Sequence, residues 1–82
     1  MRYRIAFSKA AVRDMQRLAP PVERRISGKI AGLAEDLHGD VKRLRNFAPR
    51  YRLRVGDWRV LFDIEGDCVV VHHVSHRSEA YD

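Results

Sequence analysis

This chain of 82 residues contains one cysteine, three prolines and five glycines. The lone Cys68 excludes an intramolecular disulfide, which fits the reducing conditions of the cytoplasm. No apolar run approaches the roughly 18 residues of a membrane-spanning helix. The N-terminal MRYRIAFSKA lacks the apolar segment of a signal peptide. We therefore expect a cytoplasmic protein that folds as a single domain over residues 1–82 and has no membrane partner.

The chain is rich in positive charge. It carries 16 Lys and Arg against 11 Asp and Glu, so its net charge is +5 and its pI is near 10.0. All but three of the basic residues are arginine, whose planar fork suits bidentate contact with phosphate. This balance indicates a nucleic acid, an acidic protein partner, or both, and does not choose between them.

Hydrophobic periodicity predicts two helices that follow a first strand and precede further strands. Ser8 is placed to cap the first helix, and a Pro-Pro pair separates it from the second helix. Blocks of helices and strands favour an α+β fold, with a small antiparallel sheet in the order β-α-α-β-β-β and the N-terminal helical hairpin packed on one face. The predicted segments are a strand at 2–7, helices at about 9–18 and from 20 to about 38, a basic connection at 41–50, a hairpin at 51–62 and a last strand at 68–75.

The stretch YRLRVGDWRVLF, residues 51–62, alternates apolar and charged residues around a Gly-Asp turn at 56–57. This pattern predicts a β-hairpin with one apolar face. On its other face Arg54 lies opposite Arg59, with Arg52 two residues along, and we call these three residues the arginine face. Like charges that oppose each other across paired strands are destabilising. A bound polyanion would offset that cost, and a solvated outer face with splayed arginines is the alternative.

Histidines near Cys68 raise the question of a metal site. His72 and His73 point to opposite faces of a strand, and His72 and His76 lie about 13 Å apart along it. No spacing typical of zinc ligands occurs, so we expect no metal and no cofactor. Strand parity predicts that His73 faces the core.

The C-terminal HRSEAYD brings further polar groups towards the arginine face. A register that pairs Arg59 with Val74 places His76, Arg77 and Tyr81 near one end of that face. Fixed cations with a nearby tyrosine or histidine can help an RNA 2′-hydroxyl attack the adjacent phosphate without a metal. Surrounding positive charge would lower the pKa of a tyrosine there. The alternative is that Tyr81 only packs the chain end onto the sheet.

Two segments of the sequence resemble a known family. VKRLRNFAPRYRLRVGDWRVLFDI followed by VVVHHVSHRSEAY is similar to the RelE/ParE superfamily of bacterial toxins from type II toxin-antitoxin operons. The resemblance extends over the whole chain and implies a small sheet with an N-terminal helical hairpin. In the RelE branch it implies a toxin that cuts mRNA in the ribosomal A site and is neutralised by a cognate antitoxin.

The resemblance also implies roles for individual residues. Arginine at Arg52 and Arg54, where lysine is common, would keep phosphate binding but no proton transfer. Tyr81, one residue from the end of the sequence, would accept a proton, and Arg77 would stabilise the leaving oxygen. The implied catalytic residues are Arg59, Arg77 and Tyr81, and the implied substrate-binding residues are Arg45, Arg52, Arg54 and the possible proton donor His76.

Three functions are compatible with these observations. The first is a RelE-type, ribosome-dependent mRNA endoribonuclease, favoured by the C-terminal arginine and tyrosine. The second is a ParE-like toxin that inhibits DNA gyrase by binding, and the third is a non-toxic RNA-binding module. For either toxin we expect an acidic antitoxin partner and the possibility of a higher-order complex with it.

Overall fold

The computed structural model describes residues 1–78, and it has two helices and a five-stranded sheet in the part it describes. No helix within this range is long and apolar enough to cross a membrane. The predicted α+β class is confirmed. The elements are β1 (Arg4–Phe7), α1 (Lys9–Gln16), α2 (Pro20–Leu33), β2 (Asp40–Arg43), β3 (Tyr51–Val55), β4 (Trp58–Glu65) and β5 (Cys68–His76).

The sheet is mixed, with the strand order β1-β5-β4-β3-β2. The pairs β2–β3, β3–β4 and β4–β5 are antiparallel, whereas the pair β1–β5 is parallel. The expectation of a purely antiparallel sheet is therefore wrong. Both helices and β2 to β4 separate β1 from β5 along the chain, and such a long connection permits a parallel pairing that a short hairpin cannot make.

The predicted hairpin has the expected register. Val55 pairs with Trp58 and Leu53 with Val60. Gly56 has a φ of +59°, a left-handed conformation that glycine adopts without the steric cost of a Cβ atom. The turn therefore fixes which side chains of β3 and β4 share a face.

The helices cover the apolar face of the sheet. Ser8 caps α1, since its Oγ accepts a hydrogen bond of 3.1 Å from the Ala11 N–H. α2 buries its apolar stripe against β3, β4 and β5, and Phe62 of β4 stacks on Tyr51 with ring centroids 5.4 Å apart. The buried apolar residues of this core are Ala11, Ile26, Ile30, Leu33, Leu53, Val55, Val60, Phe62, Val69, Val71 and Val74.

Two segments differ from the sequence-based expectation. The start of the basic connection is β2, an edge strand with a single inward apolar residue, Val41, that packs against the core. α2 ends at Leu33 instead of near residue 38, because Asp36 and Leu37 take left-handed backbone angles that a helix cannot contain.

A β-bulge in β5 moves His73. Leu61 pairs with His73 while the next residue, Phe62, pairs with Val71, so His72 is an extra residue. The parity of β5 changes at this point, and 55% of the His73 side chain is exposed. The prediction that His73 faces the core is therefore wrong. The predicted pairing of Arg59 with Val74 is also wrong by one residue, since Arg59 pairs with Ser75.

Candidate functional site

The arginine face lies on the side of the sheet opposite the helices. Arg54 is directly opposite Arg59, as predicted, and Arg52 is opposite Leu61. The alternative of a solvated face with splayed arginines fits only Arg54, because Arg52 and Arg59 are only 7% and 5% exposed. Two buried cations on one small sheet need compensating contacts, since burying a charge without partners is costly.

Asp40 supplies one of these contacts. It begins β2 directly opposite Arg54, and its Oδ2 accepts a hydrogen bond of 2.9 Å from Arg54 Nε. Its Oδ1 lies 3.9 Å from Arg52 Nη2. The hydrogen bond from Arg54 lowers the pKa of the Asp40 carboxyl, and the positive charges of Arg54, Arg52 and Arg59 act in the same direction. One carboxylate therefore offsets part of the repulsion within the arginine face.

Sequence reasoning missed Asp40, because it directly precedes a segment, residues 41–50, that is typical of a basic loop. The only local signal is the alternation of Asp40, Val41 and Lys42 after Gly39. Three residues of alternation are too few to predict a strand. The position of Asp40 opposite Arg54 follows only once β2 is known to pair with β3.

Backbone carbonyls of the hairpin turn supply the second set of contacts. Arg59 Nη1 donates to the carbonyl oxygens of Gly56 and Trp58, both at 3.1 Å. On the other side of the turn the Arg25 guanidinium of α2 lies close to Gly56, where an added Cβ atom would approach Nη2 to 2.7 Å. Arg59 therefore binds the backbone of the turn directly, and Arg25 lies close to it.

Arg52 is less well satisfied than its neighbours. Its Nε is buried and has no hydrogen-bond partner, and its only ion pair within residues 1–78 is the 3.9 Å contact with Asp40. A buried donor without an acceptor costs about 1–3 kcal/mol. Within the arginine face, Arg52 Nε is therefore a buried donor that lacks an acceptor.

Arg77 lies at the turn end of the sheet. Arg77 follows β5, and its backbone N–H donates to the Asp57 carbonyl at 2.7 Å. Arg77 Nη1 is 3.5 Å from Asp57 Oδ1, and both side chains are exposed. The contact therefore holds Arg77 beside the β3–β4 turn, near the arginine face. Tyr81 lies outside the described residues.

His76 lies on the other face of the sheet, and Arg45 lies in a connecting segment. The His76 ring packs edge-on against Trp58, with centroids 5.2 Å apart, and its Nδ1 is 3.0 Å from Ser78 Oγ. Trp58 shares the apolar face, so the structure places His76 on the side opposite the arginine face. Arg45 belongs to the connection between β2 and β3, where it lines a cavity with two other arginines.

This arrangement suits binding of a phosphodiester. Guanidinium groups held by fixed partners present N–H donors in a preorganised geometry, which is the condition for stabilising extra charge on a phosphoryl group. Within residues 1–78 no group of three or more His, Cys, Asp or Glu side chains is arranged to hold a metal ion. The chemistry that these residues offer is electrostatic.

Comparisons with known proteins identify the family of this chain. Residues 5–81 match the family model described as ParE toxin of type II toxin-antitoxin system, parDE. A curated relative, Toxin RelE3 of Methanocaldococcus jannaschii, is 29% identical over 84 residues, covering 96% of each chain.

Solved structures resemble the fold as well. The toxin-antitoxin complex RelBE2 of Mycobacterium tuberculosis contains a chain that is 28% identical with a TM-score of 0.82, over 94% of this chain and 100% of that one. A RelB-RelE antitoxin-toxin complex from Methanococcus jannaschii gives 26% identity and a TM-score of 0.74, over 89% and 91% of the chains. This chain belongs to the RelE/ParE superfamily of toxins from type II toxin-antitoxin systems, and it is RelE-like.

Proposed function

We propose that this toxin is a RelE-type mRNA endoribonuclease that acts on ribosome-bound mRNA in the cytoplasm and needs no metal. The observation that carries the proposal is the arginine face, where Arg52 and Arg59 are buried cations and the Nε of Arg52 has no acceptor. Apolar residues at buried ionic positions are often as stabilising as the charged ones, or more so. An anionic substrate would supply the acceptor that Arg52 lacks.

The proposed reaction is cleavage by the 2′-hydroxyl of the substrate itself. The 2′-oxygen forms a bond to the adjacent phosphorus, and the bond from phosphorus to the 5′-oxygen breaks, leaving a 2′,3′-cyclic phosphate and a 5′-hydroxyl. One proton leaves the 2′-hydroxyl and one is delivered to the 5′-oxygen. Arg59 would stabilise the charge that develops on the phosphoryl oxygens.

The other residues would bind the RNA and move the protons. Arg52 and Arg54 would hold the phosphate backbone, and Arg45 would contact the substrate from the β2–β3 connection. Tyr81 would accept the proton of the 2′-hydroxyl, and Arg77 would stabilise the leaving 5′-oxygen. These assignments of Arg45, Arg77 and Tyr81 rest on the family resemblance. His76, the remaining candidate, would need its ring to leave Trp58 in order to donate a proton.

A cognate acidic antitoxin is the proposed protein partner. Solved relatives with similar folds are complexes of RelE with RelB, and the net charge of +5 favours an acidic chain. An antitoxin segment that folds on binding could cover the arginine face. Purification from the intact operon should then yield a complex, and recovery of free toxin alone would contradict this part of the proposal.

Inhibition of DNA gyrase by binding is the second candidate. It is favoured by the match to the ParE family model, since the superfamily hairpin is shared by both kinds of toxin. In this case the arginine face would contact protein instead of RNA. A supercoiling assay with stoichiometric toxin distinguishes the two, since a RelE-type toxin should leave gyrase active.

The experiment that tests the proposal is primer extension on a reporter mRNA bound to translating ribosomes, with the purified toxin. We expect new 5′ ends spaced by codon with the parent protein and with Arg24→Ala, which removes an exposed arginine from α2 on the opposite side of the sheet. We expect at least a tenfold lower rate with Arg59→Ala, because one charge-assisted contact to the reacting phosphate is lost. Absence of cleavage by folded parent protein would overturn the proposal.

A further inference from the structure

The proposed cleavage delivers a proton to the leaving 5′-oxygen, and the donor of that proton should lie on the arginine face. An arginine side chain stabilises charge but does not give up its proton, which excludes Arg77 as the donor. His76 packs edge-on against Trp58 on the other face of the sheet. Histidine titrates near neutral pH and is the most frequent proton-transfer group in enzymes, and the bulge of β5 places another histidine, His73, beside the arginines.

His73 shares a face of the sheet with the arginines. It pairs directly with Leu61, which lies opposite Arg52 on that face, and residues directly opposite each other in an antiparallel pair share a face. Arg59 pairs with Ser75, so His73 is the diagonal neighbour of Arg59, with Cα atoms roughly 7–8 Å apart. Long side chains reach across such a distance, so one phosphodiester could contact both Arg59 and His73. Without the bulge, His73 would have the parity of the core, and bulges are known to re-aim a side chain in this way.

Helix α1 fastens the bulge from its N-cap and from its last turn. At the N-cap, Ser8 Oγ donates a hydrogen bond of 3.1 Å to the His72 carbonyl oxygen. In the last turn, Asp14 Oδ2 accepts a hydrogen bond of 2.9 Å from the Val74 N–H. These bonds hold the backbone on both sides of His73, so the position of His73 does not depend on contacts of its own side chain.

Asp14 also faces the imidazole ring of His73. Its Oδ2 lies 3.7 Å from His73 Nδ1, and 55% of the His73 side chain is exposed, against 23% of the Asp14 side chain. The Nε2 atom of His73 has no hydrogen-bond partner among the described residues. A carboxylate beside Nδ1 orients the ring and stabilises the imidazolium form, while Nε2 stays open to transfer a proton. Because an exposed ion pair adds little to stability, the fold gains little from the His73 side chain.

The neighbouring His72 has the same chemistry in a less suitable position. Its Nε2 lies 3.8 Å from Asp63 Oδ2, and 34% of its side chain is exposed. It also lies one residue further than His73 from Ser75, the partner of Arg59. His73 is therefore the better placed donor, and His72 is its matched comparison.

We propose that His73 is the general acid of the cleavage reaction and that Asp14 is its positioning residue. The inference rests on the proposed ribonuclease function and assigns the second of its two proton transfers. As the bond between phosphorus and the 5′-oxygen breaks, protonated His73 donates its Nε2 proton to that oxygen and becomes neutral. Tyr81 takes the proton of the 2′-hydroxyl, and both side chains return to their starting states by proton exchange with water.

The test compares two short synthetic mRNAs bound to ribosomes, one with the natural 5′-oxygen at the cleaved bond and one with sulfur in its place. A thiolate leaves without being protonated, so the sulfur mRNA does not need a general acid. We expect His73→Gln to cut the oxygen mRNA about 100-fold more slowly than the parent toxin and the sulfur mRNA within about threefold of the parent rate. Asp14→Asn keeps an acceptor for the Val74 N–H but removes the charge, and it should show a smaller loss that sulfur also restores.

The matched control is His72→Gln, which should cut both mRNAs within about threefold of the parent rate, and urea unfolding checks that each variant folds as the parent does. The proposal is overturned if His73→Gln cuts both mRNAs as fast as the parent, if it slows both equally, or if His72→Gln shows the loss that sulfur restores. Cleavage by the parent marks each of these results as a failure of the His73 assignment alone. Absence of cleavage of either mRNA by folded parent toxin would overturn the ribonuclease proposal as well.

Discussion

Replacing Arg52 with methionine separates a functional role for the arginine face from a structural one. Arg52 is 7% exposed, its Nε has no acceptor and its one ion pair is 3.9 Å long. An unsatisfied buried donor costs about 1–3 kcal/mol, and apolar replacement of buried ionic groups is often neutral or stabilising by about 1–4 kcal/mol. Asp40 keeps its shorter contact with Arg54 in the variant. We therefore expect Arg52→Met to unfold with the same free energy as the parent, or with one that is higher by about 1–3 kcal/mol.

Urea unfolding of the purified toxin measures this difference. An increase of 1 kcal/mol would correspond to a rise in Tm of about 4–8 °C for a domain of this size. RNA binding should fall in the same variant, because a phosphate contact is removed while the fold is kept. Function and stability would then change in opposite directions at one position.

The matched control for this prediction is Leu61→Met. Leu61 lies directly opposite Arg52 on the same face, and it is also 7% exposed. A leucine-to-methionine change usually costs less than about 1.5 kcal/mol, so the control shows whether methionine is tolerated there. If Arg52→Met loses more than about 1 kcal/mol relative to Leu61→Met, Arg52 stabilises the fold and our reasoning about its role is refuted.

Three further predictions concern stability and pH. Asp40→Asn removes a carboxyl whose pKa is lowered in the folded state from about 3.8. Such a group stabilises the fold fully above its unfolded pKa and loses that contribution as the pH falls through its folded pKa. Below about pH 4 the free energy of unfolding of the parent should therefore decline more steeply than that of the variant. Acid titration of urea midpoints measures this, and parallel profiles would contradict it. Gly56→Ala and Gly66→Ala should each cost about 1–2 kcal/mol, because both glycines have φ near +60° and the Cβ added at Gly56 meets only the flexible end of Arg25. A much larger loss at Gly56 would contradict this reasoning. Phe62→Ala, at a fully buried position, should cost about 3–5 kcal/mol in the same urea assay, and a loss below 1 kcal/mol would contradict the described core.

The hairpin register could be predicted from sequence because two strong local signals agree. Alternation with period 2 fixes the face of each side chain, and Gly56 fixes the turn. The opposition of Arg54 and Arg59 follows from these two signals alone. The α+β class could be predicted for a similar reason, since the helical stripes and strands occur in separate blocks.

Burial of the arginines could not be predicted in this way. The alternating pattern assigns charged residues to solvent, yet Arg52 and Arg59 are buried. The compensation comes from Asp40, twelve residues before Arg52 in the sequence, and from carbonyl groups of the turn. Such contacts depend on which strands pair and on backbone geometry, and neither is encoded in a local pattern.

The position of His73 shows a different limit. One extra residue in β5 reverses the face of the sheet to which each later residue of that strand points. Nothing in VVVHHVSH marks the bulge, because either histidine is tolerated on either face. The cavity of the β2–β3 connection could not be predicted either. A basic segment does not indicate that hydrogen bonds from Leu44 to Arg50 and from Arg50 to Asp63 will fix its shape.

The central claim is that the arginine face supports attack by the 2′-hydroxyl of a ribosome-bound mRNA. The most direct measurement compares two mRNAs in translating ribosomes with purified toxin, one entirely ribose and one with a single 2′-deoxynucleotide on the 5′ side of the cleaved bond. We predict that the ribose mRNA is cut to a product ending in a 2′,3′-cyclic phosphate and that the deoxy-substituted mRNA is not cut at that position. Equal cleavage of both mRNAs would contradict the mechanism, and no cleavage of either by folded toxin would contradict the ribonuclease assignment itself.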